Sequence, residues 1–270
     1  NNGASIQGTG SVSFIQGTTN FNSGSQYAAT LLTTHNQGFV TWNMTAVTIN
    51  NFNFNGGREQ GSANMTFPGN ITWSGGEWRG NGTATFTNTA NVNFTGNEKF
   101  IFQGRTIINN GTISWNSGDL VSTDGGIFTN NRLINISNDV NLRTNCTGCP
   151  GINFTNAATG IMTKTGSAGT SVFGNADNVI FNNNGIFNIN VGTITFRGQG
   201  DHAGLFNIPS GSALRFEQNN TIVHNFNNGS SVQGSGSVSF LNGNNNFHNG
   251  SSHASTLMTN HTDGRVNWNA

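Results

Sequence analysis

Apolar residues in this 270-residue chain come in bursts of every second position, and each burst ends in glycine or asparagine. Ser11-Val12-Ser13-Phe14, Ile71-Thr72-Trp73, Thr83-Ala84-Thr85-Phe86 and Val92-Asn93-Phe94 alternate in this way. So do Thr112-Ile113-Ser114-Trp115, Leu133-Ile134-Asn135-Ile136, Thr193-Ile194-Thr195-Phe196 and Val238-Ser239-Phe240. A period of two sends apolar side chains to one face and Ser, Thr or Asn to the other, the signature of a short half-buried strand. The 3.6-residue apolar period of a helix is absent, and Gly or Asn interrupts almost every stretch of ten residues. The pattern predicts an all-β chain.

A longer period lies above the strands. A hydrophobic residue followed by an Asn/Gly-rich turn recurs at Phe86, Ile108, Phe128, Phe154, Phe181, Phe206, Phe226 and Phe247, in steps of 20 to 27. Longer still is a repeat of 226. Residues 1–43 align without a gap on residues 227–269 and agree at 25 of 43 positions, pairing Phe21 with Phe247, His35 with His261 and Trp42 with Trp268. About ten steps therefore fill one repeat. A step near 23 fits the coil of a parallel β-helix, whereas propeller blades repeat every 40–50 residues. The expected fold is a single-stranded parallel β-helix (β-solenoid) with about ten coils of 20–27 residues per 226-residue repeat. Residues 1–226 form one long unit, and 227–270 begin the next on the same solenoid. The register of residues 22–85 stays open.

Composition gives this reading a physical cause. The chain holds 49 Asn and 38 Gly, both tolerant of the left-handed backbone that coil corners require. Like residues on successive coils stack about 4.8 Å apart, so Asn ladders can bond one another while Phe and Ile fill the interior. Like charges would repel at that spacing, and charged residues are only 7% of the chain. Net charge is zero, with no basic cluster of the kind nucleic-acid binding needs. No apolar run approaches the ~20 residues of a membrane span.

The run GTITFRGQGDHAGLFNIPSGSALRFEQNNTIVHNFNNGSSVQGSGSVSFLNGNNNF (192–247) carries G-x-F-x-x-x-x-G-x-x-L-x-F and G-x-G-x-V-x-F coils. With TIINNGTISW (106–115), it resembles the filamentous-haemagglutinin-like and adhesin-like β-helices of large repetitive extracellular bacterial proteins. The resemblance spans about residues 70–250. It implies a right-handed coil and a secreted or cell-surface setting, and its motifs are structural rather than functional.

Candidate chemistry is sparse. The ten acids are Glu59, Glu77, Glu98, Asp119, Asp124, Asp139, Asp177, Asp201, Glu217 and Asp263. Asp119 and Asp124 share a turn, and Asp201 and Glu217, near Arg197, His202 and Arg215, form the one constellation resembling a polysaccharide-cleaving site. Solvated charges at coil corners are the better account of these acids, so no catalytic residue, cofactor or metal is expected. His202, His224 and His248 are spaced by about a coil, yet their offsets from the hydrophobic markers put them at different places on it. Cys146 and Cys149 lack the further ligands zinc needs and the helix of a redox C-x-x-C. A loop-closing disulfide is the expectation, and it fits an oxidising, extracellular compartment.

Thirteen Asn-x-Ser/Thr acceptors occur: Asn43, Asn64, Asn70, Asn81, Asn93, Asn110, Asn135, Asn145, Asn153, Asn219, Asn228, Asn249 and Asn260. Asparagine content alone supplies about ten, so they mark N-glycosylation only if the chain is secreted by a eukaryote. Trp78, in GGEWRG, is the candidate glycan-contacting aromatic. Threonine ladders would suggest ice binding, and Thr83-Ala84-Thr85, Thr87, Thr89 and Thr193-Ile194-Thr195 give partial support, but the threonine positions do not repeat from coil to coil. The expected function is a shaft segment of a long extracellular fibre, sheath or giant surface adhesin, partnered end to end by copies of its own repeat. The alternative is a glycan- or surface-binding adhesin module. A polysaccharide-degrading enzyme or an ice-binding protein ranks behind both.

Overall fold

The computed structural model describes residues 3–29, 31–146, 148–174, 178–217, 221–254 and 258–269. Among them are 37 strands and no helix, every pairing between strands being parallel. The chain winds into a β-solenoid of about 12 turns, roughly 21 residues per turn. Each turn contributes three strands, one to each face of a triangular coil. Face A starts with Ser5–Gly8 and Gln26–Ala29 and reaches Arg265–Trp268. Face B runs unbroken through twelve strands from Val12–Phe14 to Ser252–His253, and face C through twelve from Thr18–Phe21 to Met258–His261. The ladder of face A lapses twice, before Ala46–Thr48 and around the single bridge between Ile180 and Gln199.

Coil length varies more than the marker spacing suggests. Paired residues are 18 apart from Ala46 to Asn64 but 31 apart from Leu142 to Phe173, where the chain makes the Cys146–Cys149 excursion. The markers themselves do not share one face. Phe86, Phe128, Phe154, Phe181, Phe226 and Phe247 line face A, whereas Phe206 lies on face B and Ile107, rather than Ile108, points inward. Hydrophobic position along a coil cannot distinguish faces whose strands read alike.

Alternation places one apolar stack inside each sheet. Phe128 lies on Phe154 with ring centroids 4.7 Å apart, and Phe154 on Phe181 at 5.4 Å. Phe226 and Phe247 stack at 4.2 Å, and Phe206 meets Phe226 across the core at 6.3 Å. Such contacts add to the area these rings remove from water. Beside the rings on face A stands a column of buried amides. Asn109 donates through Nδ2 to Asn130 Oδ1 (2.7 Å), Asn130 to Asn156 (2.8 Å) and Asn156 to Asn183 (2.8 Å). All four are fully buried; Asn130 and Asn156 each accept from the amide below and donate to the one above, while Asn109 Oδ1 accepts the Gly111 N–H and Asn183 Nδ2 donates to the Leu205 carbonyl at the two ends.

At the corners the backbone must reverse close to the coil beneath. Gly118 shows both demands: its φ is +72°, and a Cβ there would run into the Asn97 carbonyl and the Lys99 ammonium.

Breaking the amide column leaves two partners buried and unsatisfied, each costing about 1–3 kcal/mol. Asn130→Ala is expected to lower stability by about 2–5 kcal/mol, whereas Asn131→Ala, which removes a half-exposed bond to Asn110, costs under about 1 kcal/mol. Urea unfolding midpoints of the two variants at unchanged m-value check this.

Candidate functional site

The coil has a polar interior at a few levels and paired outer rows, and both bear on function. Inside the first coils, Glu59 is completely buried. Its carboxylate meets His35 Nδ1 at 2.7 Å and accepts the indole N–H of Trp42. His35 Nε2 closes the set on the Gln37 carbonyl at 3.0 Å. Arg105 is also buried, its guanidinium 5.2 Å over the Trp78 ring and donating to the Gly61 carbonyl at 3.3 Å. Burial lowers Arg105 to about 10, and the Glu59 charge opposes that shift. Lys99 turns inward and caps the carbonyls of Thr95, Asn97 and Ser117 at 2.7–2.9 Å. Lys164, equally buried, reaches Asp139 at 2.7 Å. None of these groups was identifiable from the sequence, since a buried charge and an exposed one occupy the same alternating pattern.

His202 and His224 do sit at different places on the coil, His202 opposite Phe226 and His224 opposite Gly200, yet their side chains meet. His202 caps the buried amide column: its Nδ1 accepts the Asn183 backbone N–H at 3.2 Å, which leaves Nε2 to donate to His224 Nδ1 at 2.8 Å. The rings stack 5.0 Å apart, both fully buried. Burial, reinforced by the neighbouring His224, pushes His202 well below the ordinary imidazole value. Burial likewise takes His224 down to about 3, with the Gly198 backbone working the other way. His248 stays apart, half-buried near Asn225.

The Asp201–Glu217 constellation does not converge. Asp201 faces outward on face A and accepts from Asn225 at 2.7 Å, Arg197 pairs with Glu217 at 3.2 Å, Arg215 is exposed, and His202 points inward. Asp119 is held by Asn141 and Arg143, while the main-chain carbonyl of Asp124 accepts from Gly104. Asp177 lies outside the described residues. Among the described residues no group of three His, Cys, Asp or Glu side chains gathers as metal ligands would. Cys146 and Cys149 are joined, with Cα atoms 5.8 Å apart.

Trp78 cannot contact a glycan. It is 1% exposed, wedged among Phe52, Phe54, Phe67 and Trp73, because strand alternation turns it inward and Glu77 and Arg79 outward. The outward row on face C instead reads Phe39, Arg58, Glu77, Phe100 on successive coils. Arg58 lies over the Phe39 ring at 4.8 Å and bonds Glu77 at 2.9 Å, and Arg79 bonds Glu77 at 2.8 Å. Burial alone would raise Glu77, but the bonds and charges of the two arginines outweigh it and hold the carboxyl low. Phe39, Arg58, Glu77 and Phe100 line a groove of about 610 Å³ with Gln16 and Gln37. On this row the two charges that stack are opposite in sign.

Threonines do recur from coil to coil. Thr48, Thr66 and Thr85 pair in sequence on the outside of face A, and after Ile108 the column resumes with Thr129 and Thr155. Unequal coil lengths hide the column in the linear sequence. Of the thirteen acceptor asparagines, Asn219 lies outside the described residues and the other twelve face outward, Asn110 and Asn135 half-buried and ten exposed.

No protein family, curated protein or solved structure matches the chain.

The histidine pair fixes a pH dependence. Unfolded histidine titrates near 6.5, above both folded values, so below pH 6.5 the unfolded chain takes up protons that the folded chain refuses. Stability should fall as pH drops from 6.5 to 4, by up to about 1.4 kcal/mol per pH unit for each histidine. His224→Gln is expected to flatten that slope relative to the parent, read as urea midpoints across the range.

Proposed function

We propose that the chain is a structural segment of the shaft of a long extracellular fibre, sheath or giant surface adhesin, built from tandem 226-residue β-solenoid units. One observation carries the reading. The residues that repeat the opening sequence, 227–269, continue the same stack of coils without starting a new core: Phe247 seats on Phe226 and Trp268 on Phe247. A repeat that extends a coil rather than forming a separate domain makes length its product. At about 4.8 Å per turn, the described turns amount to about 58 Å of rod. Carboxylates held in ion pairs or buried in the coil support a mechanical role over turnover. The joined Cys146–Cys149 pair and the outward acceptor asparagines accord with an extracellular location. Negative-stain images of native material are expected to show rods rather than globules, and intact mass before and after amidase treatment reads whether the acceptor asparagines carry glycan.

A second reading, a glycan-binding adhesin module, rests on the face C groove, where Phe39 is 42% exposed beside the Arg58–Glu77 pair. On that reading a glycan array registers binding that Phe39→Ala reduces at least tenfold, and a blank array leaves the shaft alone. The threonine column on face A reopens ice binding, for which the readout is thermal hysteresis that Thr85→Tyr removes.

A further inference from the structure

The sequence repeat and the coil do not share a period. Ser5–Gly8 is on face A, while its counterpart 226 residues later, Ser231–Gly234, is on face B. Val12–Phe14 is on face B and its counterpart within Ser237–Phe240 is on face C. Thr18–Phe21 and Phe39–Trp42 are on face C, and their counterparts Asn244–Phe247 and Arg265–Trp268 are on face A. The count explains the shift. Ser231–Gly234 is the thirty-first strand after Ser5–Gly8, one step more than the thirty of ten three-stranded turns. Inward and outward positions are preserved, as in Phe21 and Phe247, both buried, so the second copy is the first turned by one face.

The far edge of the coil shows what this turned copy lacks. In the first copy Trp42 is 1% exposed, stacked on Phe21 at 4.4 Å, with its indole N–H and the His35 imidazole both on Glu59. Glu59 comes from Arg58–Gln60, the strand that lies on Phe39–Trp42. In the second copy Trp268 stacks on Phe247 in the same manner at 4.3 Å, yet it is 57% exposed. His261, the counterpart of His35, is exposed and turns to the Gly264 carbonyl. The tryptophan and histidine are in place, and the strand carrying the carboxylate is not among the described residues.

We propose that the edge formed by Met258–His261 and Arg265–Trp268 is the docking surface for the continuation of the second 226-residue unit. A strand equivalent to Arg58–Gln60 lands there on face A instead of face C, and its glutamate takes the Trp268 indole N–H and the His261 imidazole. The proposal rests on the shaft reading and adds its geometry. Each unit turns by one face relative to the last, so three units, 93 strands and 31 whole turns, restore the register after about 150 Å of shaft. Every outward row, the Phe39–Arg58–Glu77 row included, is thereby displayed in three directions around the rod.

The test uses a chain in which residues 44–226 follow Asn269, extending the second unit. In the first unit Gln60 Nε2 donates to Thr41 Oγ1 at 2.9 Å, so the pair Thr41→Cys and Gln60→Cys calibrates cross-linking of adjacent outward positions. The matching junction pair is Asn267→Cys with Gln60→Cys in the appended segment. The expected result is a junction cross-link in yield comparable to the calibrating pair, falling several-fold when Glu59→Ala is placed in the appended segment. A calibrating pair that closes while the junction pair stays reduced overturns the docking of the continuation on this edge. So does a junction yield indifferent to Glu59→Ala for the carboxylate's role. Electron microscopy of the same extended chain separates this failure from failure of the shaft reading: a continuous rod with no junction cross-link sinks only the junction geometry, while two separate particles joined by a tether sink both.

Discussion

Every feature of this molecule depends on one constraint: each side chain sits about one strand spacing from its counterpart on the next coil. At that distance like residues must tolerate like. Flat rings stack, primary amides donate to one neighbour and accept from the other, and hydroxyls form outer columns. The column Asn109–Asn130–Asn156–Asn183 is the clearest case, since four buried polar side chains bond one another in series and backbone groups close its ends. The scarcity of charge has the same origin. Arg58 and Glu77 are compatible with stacking because they are opposite in sign, and where Glu98 and Asp119 do stack on adjacent coils, Arg143 from the next coil bonds both.

Departures from like-on-like stacking are concentrated where the column changes type. His202 ends the amide column by accepting a backbone N–H below and donating to His224 above, converting an amide ladder into an imidazole pair before the phenylalanine stack of Phe226 and Phe247 takes over. Glu59 performs a comparable service in the first coils, joining His35 and Trp42 across two faces. These buried polar sets specify which coil lies on which, a role that aromatic stacks cannot fill because any ring stacks on any other. Register in a solenoid whose three faces read alike needs such markers.

The triangular coil also gives the repeat its consequence. With three equivalent faces, a unit of 31 strands is as acceptable as one of 30, because the extra strand enters a corner and a face that differ little from those it leaves.

The strands, their inward and outward sides, the parallel coil and the 226-residue repeat were legible in the linear sequence, because alternation and repetition are local or exact and need no knowledge of neighbours. The amide columns were foreseeable in kind but not in position. Trp78, the candidate glycan-contacting aromatic, is packed inside, because alternation within its strand turns Glu77 outward and the ring inward. The threonine column, the pairing of His202 with His224 and the burial of Glu59 were invisible, since coils of 18 to 31 residues slide the sequence out of phase with the axis. What the sequence determined by itself is therefore everything set by neighbours along the chain. Which face a residue joins, and what lies above and below it, is decided only when unequal coils close and stack, because that contact is made across the axis, between residues about twenty positions apart whose separation no single period fixes.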